Sequence, residues 1–495
     1  MRHRLCLALG LLLVLATLLA AGCGGDGDGK GSDTTDDGGR PAAGAAPDGA
    51  AYVPASALGF VALDTDFEGS QWNALDELSN KFPERAKLIA QIEQGLASEG
   101  VDFGRDVKPA LGPETDIGVL AGTGEEELAV LLNEPKDATK LEALFRKLAE
   151  EGDQVFSEQL GDWRAVSDKQ SAVAAAKAAS DGASLAADSL FGQAMEALPA
   201  EALVKFWVSG AAIAGAVADQ AGQGAVPAVG KINWLAGSAE AKSGGTRFHF
   251  LADRAGGTTA EPYSSELVGE IPSGVLAYVS FSSLDRPLNQ VLANPALKDR
   301  VLGLEAQLGV PLAELAPLLA KEGAFYAREG APLPEVTLVL QVDDEAAAAA
   351  TADKLAAKIG PSVGATGPAT TTEISGVTVK KLAGQQFALY YGAFDGKLVF
   401  TSSTTGITGL REGDKLDGDA DFSAASDAAE MPDETIGFVY VNLKRLIPIG
   451  LNFATTAGRT VPPDVTGNLE PLRSLLFYGA ADGTKLSVTG FLGLE

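Results

Sequence analysis

Three segments of the chain share one pattern that begins at a proline. They are VPASALGFVALD from Val53, IPSGVLAYVSFS from Ile271 and MPDETIGFVYVN from Met431. In each segment an aliphatic residue lies four positions after the proline, and a small residue, an aromatic residue and a valine follow it. Proline is tolerated where a strand begins, and a strand that is apolar on both faces is buried on both. The pattern predicts three central β-strands, and a looser copy, LPAEALVKFWVSG from Leu198, predicts a fourth.

The signals between these segments occur twice, in the same order. An apolar strand, an acidic helix cap, an amphipathic helix and a glycine follow both Glu127 and Glu335. The other matched pairs are GVDFGRDVKPAL from Gly100 with GVPLAELAPLL from Gly309, SLAADSLF from Ser184 with KLDGDADF from Lys415, and GTRFHFLA from Gly245 with GTKLSVTG from Gly483. This shared order within one chain predicts a tandem duplication. We expect a first repeat at 52–255, a connecting segment at 256–268 and a second repeat at 269–495.

Turn-forming residues join neighbouring strands in both repeats. DIGVLAGTGEEELAVLLN predicts a hairpin that turns at Gly122 to Gly124, and LLFYGAADGTKLSVTGF predicts one that turns at Asp482-Gly483. A parallel sheet would show strictly alternating strands and helices instead. The expected fold class is α+β, with two homologous lobes from tandem duplication, each a largely antiparallel sheet covered by helices.

The N-terminus has the pattern of a secretory signal. A basic head, RHR, precedes an apolar run from Leu5 to Leu19 that is too short to span a bilayer comfortably. The residues AAG directly before Cys23 resemble the lipobox of bacterial lipoproteins, in which the cysteine is diacylated and becomes the new N-terminus. We expect a signal peptide at 1–22 and lipidation at Cys23, because two acyl chains anchor stably. The alternative is an ordinary signal peptide cleaved nearby, with Cys23 incidental.

The segment after Cys23 is rich in glycine and aspartate. From Gly24 to Ala51 it contains no aromatic residue and no valine, leucine, isoleucine or methionine, so it cannot bury enough apolar surface to fold. We expect a lipidated cysteine and disordered tether at 23–51, which as a flexible coil reaches roughly 30 Å. The expected location is the outer face of the cell membrane, or of another envelope membrane, with the body exported and held by its N-terminal lipid.

Charge and cysteine content limit the partners. Removal of residues 1–22 leaves 36 Lys and Arg against 66 Asp and Glu, a formal net charge of −30. Such a charge repels phosphate backbones and anionic head groups, so nucleic acid is not expected as a partner. Cys6 lies in the signal peptide, so Cys23 is the sole cysteine of the mature chain and no internal disulfide forms.

Histidine is too scarce for most catalytic and metal sites. Apart from His3 in the signal peptide, the chain contains only His249, so a site built on several histidines is excluded. In GTRFHFLA, His249 alternates with Phe248 and Phe250 as in a half-buried strand. We expect His249 on the solvent-facing side of this strand. Its counterpart in the second repeat is Ser487, so the fold does not require the imidazole. No metal, cofactor or catalytic residue is predicted.

Two further motifs resemble functional sites without completing them. GASLA around Ser184 resembles part of a nucleophile elbow, but its surroundings predict the start of a helix. Asp417, Asp419 and Asp421 have a spacing that attracts calcium, yet Phe422 replaces the turn glycine and no glutamate closes the loop. We interpret Asp188 and Asp419 as acids at helix N-termini.

Taken in order, these motifs resemble a known family, the uncharacterised bacterial envelope proteins of domain of unknown function 3352. The resemblance covers nearly the whole mature body. It depends on the proline-led strands, the glycine-valine segments before a proline-leucine helix, and SLAADSLF before ALPAE. It implies an envelope location and this architecture, and it carries over no catalytic residues.

Three functional hypotheses remain open on these observations. The first is a non-enzymatic envelope lipoprotein that acts as a binding or interaction module for a protein partner or an apolar ligand. The second is a carrier of a lipid or other apolar ligand in an internal cavity, which small-residue helices such as AAIAGAVADQAG could line. The third is a hydrolase built on two carboxylates, which needs no histidine. Aromatic residues that stack on sugars are only 6% of the chain, which makes this third hypothesis the weakest.

Overall fold

The structure is a computed structural model. It describes residues 45–495 apart from 123–126, 150–153, 222–231, 257–259, 331–332, 366 and 385–387. The predicted signal peptide, Cys23 and most of the predicted tether lie outside the described residues.

The chain up to Arg254 is called the first half below. Its strands are β1 (Gly59–Asp64), β2 (Glu114–Ala121), β3 (Glu127–Asn133), β4 (Phe156–Leu160), β5 (Trp163–Ser167), β6 (Val204–Ser209), β7 (Ile232–Lys242) and β8 (Gly245–Arg254). Its α-helices are α1 (Ser70–Ser79), α2 (Arg85–Ser98), α3 (Ala138–Leu148), α4 (Gln170–Ser180), α5 (Ser189–Glu196) and α6 (Gly210–Ala221).

The second half begins at Tyr263. Its strands are β9 (Tyr263–Ser264), β10 (Val275–Phe281), β11 (Gly323–Arg328), β12 (Glu335–Gln341), β13 (Thr370–Ile374), β14 (Val377–Ala383), β15 (Ala388–Phe394), β16 (Lys397–Thr401), β17 (Glu434–Thr435), β18 (Gly437–Asn442), β19 (Leu472–Asp482) and β20 (Lys485–Leu494). Its α-helices are α7 (Asp285–Leu292), α8 (Lys298–Leu308), α9 (Leu312–Leu315), α10 (Glu345–Ile359), α11 (Thr404–Arg411), α12 (Ala420–Ala429), α13 (Leu443–Thr456) and α14 (Pro463–Leu469).

Acidic N-caps begin four of these helices, as predicted. The side chains of Asp137, Asp188, Asp344 and Asp419 each accept a hydrogen bond from a backbone N–H in the first turn of α3, α5, α10 and α12. A carboxylate at this place satisfies otherwise unpaired N–H groups and interacts favourably with the helix dipole. The acids at 188 and 419 are therefore capping residues.

The prediction of an α+β fold with antiparallel strands is confirmed. All strands except the short pair β9–β17 belong to one sheet of 18 strands. The order of neighbours, in which each described pairing is antiparallel, is β4-β5-β3-β2-β1-β6-β7-β8-β20-β19-β18-β10-β11-β12-β16-β15-β14-β13. The expected separate sheet in each lobe is not observed, because β8 pairs with β20 and joins the halves into one continuous sheet.

The proline-led segments form central strands. β1 lies between β2 and β6, β10 lies between β11 and β18, and β18 lies between β10 and β19. The residues before two of the prolines, Val53 and Ile271, are completely buried. The aromatic residues of these strands, Phe60, Tyr278 and Phe438, are at most 4% exposed and lie in the core.

The folded body begins before residue 52. Asp48–Tyr52 form a 3-10 helix in which Gly49 and Ala50 are buried, so the tether predicted at 23–51 overlaps this helix. Glu114 accepts a hydrogen bond from the backbone N–H of Asp48 at 2.9 Å. Ala50 of this short helix belongs to the core of the first half.

The sheet has two faces of different character. Alternate residues of a strand lie on opposite faces. The face that carries Phe60 and Tyr278, called the inner face below, packs against α4 and α5 in the first half and against α11 and α12 in the second. The opposite, outer face is covered at its two ends, by α2 and α3 over β3 and β5 and by α10 over β12 and β16.

Membrane-spanning potential was assessed for the described helices. None of them alone combines the length and the apolar composition of a membrane span. The segments Lys298–Leu308 and Leu312–Leu319, bent by 69° at their junction, meet both criteria only when taken as a pair.

Candidate binding surfaces

Strand β8 is oriented opposite to the sequence-based expectation. We expected His249 to face solvent, but its side chain is only 16% exposed and Arg247, on the same face, is 3% exposed. Phe250, on the other face, is 46% exposed. The inner face of the strands around β8 is covered by α5, which contacts β7, and by α12, which contacts β19 and β20. Arg247 and His249 therefore lie beneath these helices. They have charged partners there, Glu430 for Arg247 and Glu240 for His249.

His249 lies at the centre of a polar cluster. Its Nε2 is 3.1 Å from Oε1 of Glu240, and its Nδ1 is 3.2 Å from Oγ1 of Thr489. Burial alone would raise the pKa of Glu240, but hydrogen bonds from His249 and Lys242 outweigh burial and lower that pKa. In the register of β8 with β20, the residue opposite His249 is Thr489.

Arg247 links the two halves on the same face. Its guanidinium lies 2.6 Å from a carboxylate oxygen of Glu430 and donates a hydrogen bond to the carbonyl of Ala428 at 3.1 Å.

Thr489, His249 and Glu240 have the order hydroxyl, imidazole, carboxylate that acyl-transfer enzymes use. Thr489, however, is 6% exposed in the middle of a strand, and neither pocket described below includes it. We interpret the cluster as a joint between the halves.

An apolar patch covers the middle of the outer face. We call it the outer apolar patch. Its residues are Phe206, Phe248, Phe250, Phe325, Val439, Phe477 and Val488. Phe250 pairs in register with Val488, and these two residues are 46% and 43% exposed. The ring of Phe206 lies 6.3 Å from that of Phe250, across Gly237, where a Cβ atom would come within 2.6 Å of the Phe206 ring. The absence of a side chain at Gly237 therefore leaves room for the Phe206 ring.

A pocket of about 510 Å³ lies beside this patch and between the two halves. We call it the inter-half pocket. Its apolar lining consists of Leu75, Leu78, Phe82, Leu88, Leu492 and Leu494. Thr246 of β8 and Leu492 of β20 also line it and pair in register across the joint. Pockets of this size, mostly apolar and lined by two structural units, are typical of small-molecule sites.

Polar contacts connect the halves across the rim of the inter-half pocket. Lys87 of α2 lies 3.3 Å from a carboxylate oxygen of Asp464 in α14, and the backbone N–H of Glu84 donates to the side-chain oxygen of Asn468 at 3.3 Å. The hydrogen bond to Asp464 raises the pKa of Lys87, and the bond from Lys87 lowers that of Asp464. Arg85 pairs with Asp76 nearby. Since these rim charges neutralise one another, the lining favours an apolar ligand.

A second, smaller groove lies at the edge of the sheet. It has a volume of about 310 Å³ and runs between β4 and α4. Its lining residues are Glu158, Gln170, Val173, Ala174, Lys177, Ala178 and Asp181. Lys177 forms an ion pair with Glu158 across the groove.

The other residues singled out in the sequence lie apart from these surfaces. Ser184 precedes a 3-10 helix and bridges to Pro54, as expected for the start of a helix. Asp421 accepts hydrogen bonds from Asn442 and Arg445. Among the described residues, no group of three or more His, Cys, Asp or Glu side chains is arranged to hold a metal ion. Cys23, the predicted lipidation site, lies outside the described residues.

Sequence reasoning missed the residues that form the inter-half pocket. Lys87 and Asp464 are separated by 377 positions, so no local pattern relates them. The one visible signal was the helical spacing of Leu75, Leu78 and Phe82, which indicates an apolar helix face without saying what covers it.

The chain was compared with protein families, curated proteins and solved structures, and these comparisons identify no family for it. No protein-family model and no curated protein matches the chain. Among solved structures, crystal form IV of TP0453 matches with 13% identity and a TM-score of 0.24 over 48% of this chain and 94% of that one. Crystal form III of the same protein matches with 14% identity and a TM-score of 0.23 over 46% of this chain and 95% of that one. Matches at this level carry no argument about fold or function.

Proposed function

We propose that this chain is an exported, lipid-anchored envelope protein that acts as a non-enzymatic binding module and holds a small apolar ligand in the inter-half pocket. The observation that carries the proposal is the pocket itself, in which six apolar side chains from both halves lie behind a rim of mutually paired charges. The pocket volume of about 510 Å³ is in the range of small-molecule sites and is too small for a folded protein domain. The outer apolar patch extends the apolar surface beside it.

The location rests on the N-terminal sequence. The basic head, the short apolar run and AAG before Cys23 support export and lipidation, with the membrane as a partner through Cys23. A metabolic label with a radioactive fatty acid tests this proposal. We expect the label on the full chain and its loss in Cys23→Ser, with release of the variant from the membrane fraction. A labelled Cys23→Ser variant would exclude lipidation at this residue.

The duplication is proposed on the strand order. In the first half the order of neighbouring strands is β5-β3-β2-β1-β6-β7-β8. In the second half the matching order is β16-β12-β11-β10-β18-β19-β20. His249 and Thr489, which pair at the joint, lie at the same distance from the turns of hairpins β7–β8 and β19–β20. Membership in domain of unknown function 3352 is likewise a proposal and depends on the order of the motifs.

Native mass spectrometry with organic extraction tests the ligand proposal. We expect the purified chain to carry a stoichiometric extra mass that extracts into organic solvent. Leu88→Asp places a charge in the pocket lining and should remove that mass, whereas Leu302→Asp, at a residue that is 52% exposed on α8, should not. A bare polypeptide mass in the unmodified chain would contradict the ligand and direct attention to a protein partner at the outer apolar patch.

A further inference from the structure

The two halves of the sheet differ in what lies at the outer edge of the equivalent strands β4 and β15. The hairpins β4–β5 and β15–β16 occupy the same position in their halves, since β5 pairs with β3 and β16 pairs with β12. In register, Leu160 pairs with Trp163 next to one turn, and Phe394 pairs with Lys397 next to the other. Counting back from these pairs, Glu158 of β4 corresponds to Gly392 of β15.

The second half covers the outer edge of β15 with its own chain. β14 pairs antiparallel with β15, and β13 pairs with β14. This hairpin comes from the long segment between α10 and β15, whereas only seven residues separate α3 from β4 in the first half. Among the described residues, β4 pairs with β5 alone, so its other edge has no neighbouring strand.

The packing of β14 shows what this position accepts. Val377 and Val379 are 8% and 1% exposed and belong to the same core cluster as Ile407 and Leu410 of α11. In the antiparallel register of β14 with β15, Lys380 lies opposite Tyr391. One position further, Val379 lies opposite Gly392. A Cβ atom on Gly392 would lie 3.1 Å from Cγ1 of Val379. The strand therefore fits against β15 because glycine leaves room for the valine.

In the first half the corresponding position is the groove of about 310 Å³ between β4 and α4. Val173 provides an apolar contact there, and Ala174 and Ala178 keep the helix side of the groove shallow. Glu158 stands where the other half has Gly392, and its carboxylate pairs with Lys177. The two side chains are 37% and 58% exposed, and an exposed pair of this kind contributes little stability.

We propose that the open edge of β4 binds an extended segment of a partner protein, which adds to the sheet as an antiparallel strand in the groove beside α4. Addition of a strand to an exposed edge satisfies unpaired backbone groups and is a recurring mode of peptide recognition. The segment carries β-branched residues on the side that faces α4, as β14 does. It carries lysine or arginine opposite Glu158, since opposite charges on neighbouring strands attract and the chain has a net charge of −28.

A peptide derived from β14 tests this proposal with the complete chain. The probe is a fluorescent peptide with the sequence Val377–Ala383 in which Val379→Lys supplies the cation, so that it reads VTKKKLA. We expect saturable binding by fluorescence anisotropy and slower amide hydrogen exchange in Phe156–Leu160 when the peptide is bound. A peptide with Val379→Glu in the same place should bind at least tenfold more weakly.

A variant on α4 locates the site. Ala174→Trp fills the groove and should weaken binding of VTKKKLA at least tenfold, whereas Ser171→Trp, on an exposed residue of the same helix outside the groove, should not change it. Unchanged urea unfolding of both variants establishes that they fold. Absence of saturable binding, or equal effects of the two substitutions, would overturn the proposal. A dimer of the unliganded chain that Ala174→Trp dissociates would also overturn it, because a second copy would then occupy the edge.

Discussion

The two halves share one arrangement of strands and differ in what they leave open. The second half covers its outer strand β15 with the hairpin β13–β14, and Gly392 makes room for Val379. In the first half Glu158 lies at the same place, the outer edge of β4 has no neighbouring strand among the described residues, and a groove lies beside α4. This difference shows that the common frame does not require the edge to be closed. It places the exposed strand edge, where we propose that a partner segment binds, in the first half.

The short 3-10 helices before the central strands, Asp48–Tyr52 in the first half and Leu267–Gly269 in the second, give a second comparison. Glu322 accepts hydrogen bonds from the N–H groups of Glu266 and Leu267 at 2.8 and 3.1 Å, and Glu114 accepts from Asp48 in the corresponding position. Two residues further along the strand, the first half has Asp116 where the second has Ala324. Asp116 is completely buried, and neither of its carboxylate oxygens has a hydrogen-bond partner among the described residues.

We expect the largest loss of stability from giving the second half the edge residue of the first, a glutamate in place of Gly392. Gly392→Glu would place a carboxylate against Val379 in the core, where it has no partner, and we expect a loss of about 3–5 kcal/mol in the free energy of unfolding. Urea unfolding measures this loss. Gly95→Glu, at an exposed helical glycine with open space around it, should leave stability unchanged or raise it slightly. Equal effects of the two substitutions would show that the edge is not tightly packed.

The glutamates that bind the 3-10 helices should differ in importance. Glu322 is 5% exposed and also accepts hydrogen bonds from Ser265 and Ser280, so Glu322→Ala leaves several buried donors unpaired and should cost about 2–4 kcal/mol. Glu114→Ala removes fewer bonds at a more exposed place and should cost about 1 kcal/mol. Denaturation midpoints of the two variants provide the comparison. A larger loss for Glu114→Ala would contradict this assignment.

Asp116→Ala copies the second half and should stabilise the chain. Burial raises the pKa of Asp116 well above its usual range, with repulsion from Glu114 as a further cause. Because the folded state binds the proton more tightly than the unfolded state, the native chain loses stability as pH rises from the unfolded pKa through the folded one. We expect a gain of about 1–3 kcal/mol at pH 7 and a smaller gain at pH 4. Urea unfolding at both pH values measures this effect.

The control for Asp116 is a solvent-exposed aspartate. Asp433→Ala removes the same group from an exposed loop position and should change stability by less than about 0.5 kcal/mol at either pH. If Asp116→Ala destabilised the chain at pH 7, an unrecognised favourable contact of the buried carboxyl would be the explanation, and the comparison with Ala324 would fail.

The smallest effect concerns Asp64 at the end of β1. Burial raises its pKa to about 6, with repulsion from Asp66, Glu201 and Glu114 as further causes. Its contribution to stability is therefore greatest below about pH 4 and is lost as pH rises through about 6. Asp64→Asn keeps an acceptor for the N–H of Asp66 and should raise stability at pH 7 by about 1 kcal/mol, with no gain at pH 3.5. Thermal unfolding at the two pH values tests the sign.

The local features of the fold were predictable from particular residues. The proline-led segments around Phe60, Tyr278 and Phe438, apolar on both faces, predicted central strands, and the acids at 137, 188, 344 and 419 predicted helix starts, because both signals depend on neighbours within a few positions. The turn at Asp482-Gly483 was predicted for the same reason, and Gly483 has a φ of 60°. The continuous sheet was not predicted, since the pairing of β8 with β20 joins residues that are about half the chain apart.

The candidate binding surfaces also combine features that the local sequence determines with features that only tertiary packing determines. The sequence by itself determined the alternation of Phe248 and Phe250 with Arg247 and His249, the scarcity of histidine and the negative charge of the chain. Which side of β8 is buried was decided only in the tertiary structure, where Glu240 and Glu430 offer charged partners beneath the helices and leave Phe250 exposed. The inter-half pocket and the open edge of β4 are likewise products of long-range packing. The physical reason is that periodicity depends on nearest neighbours along the chain, whereas burial depends on which distant segments meet.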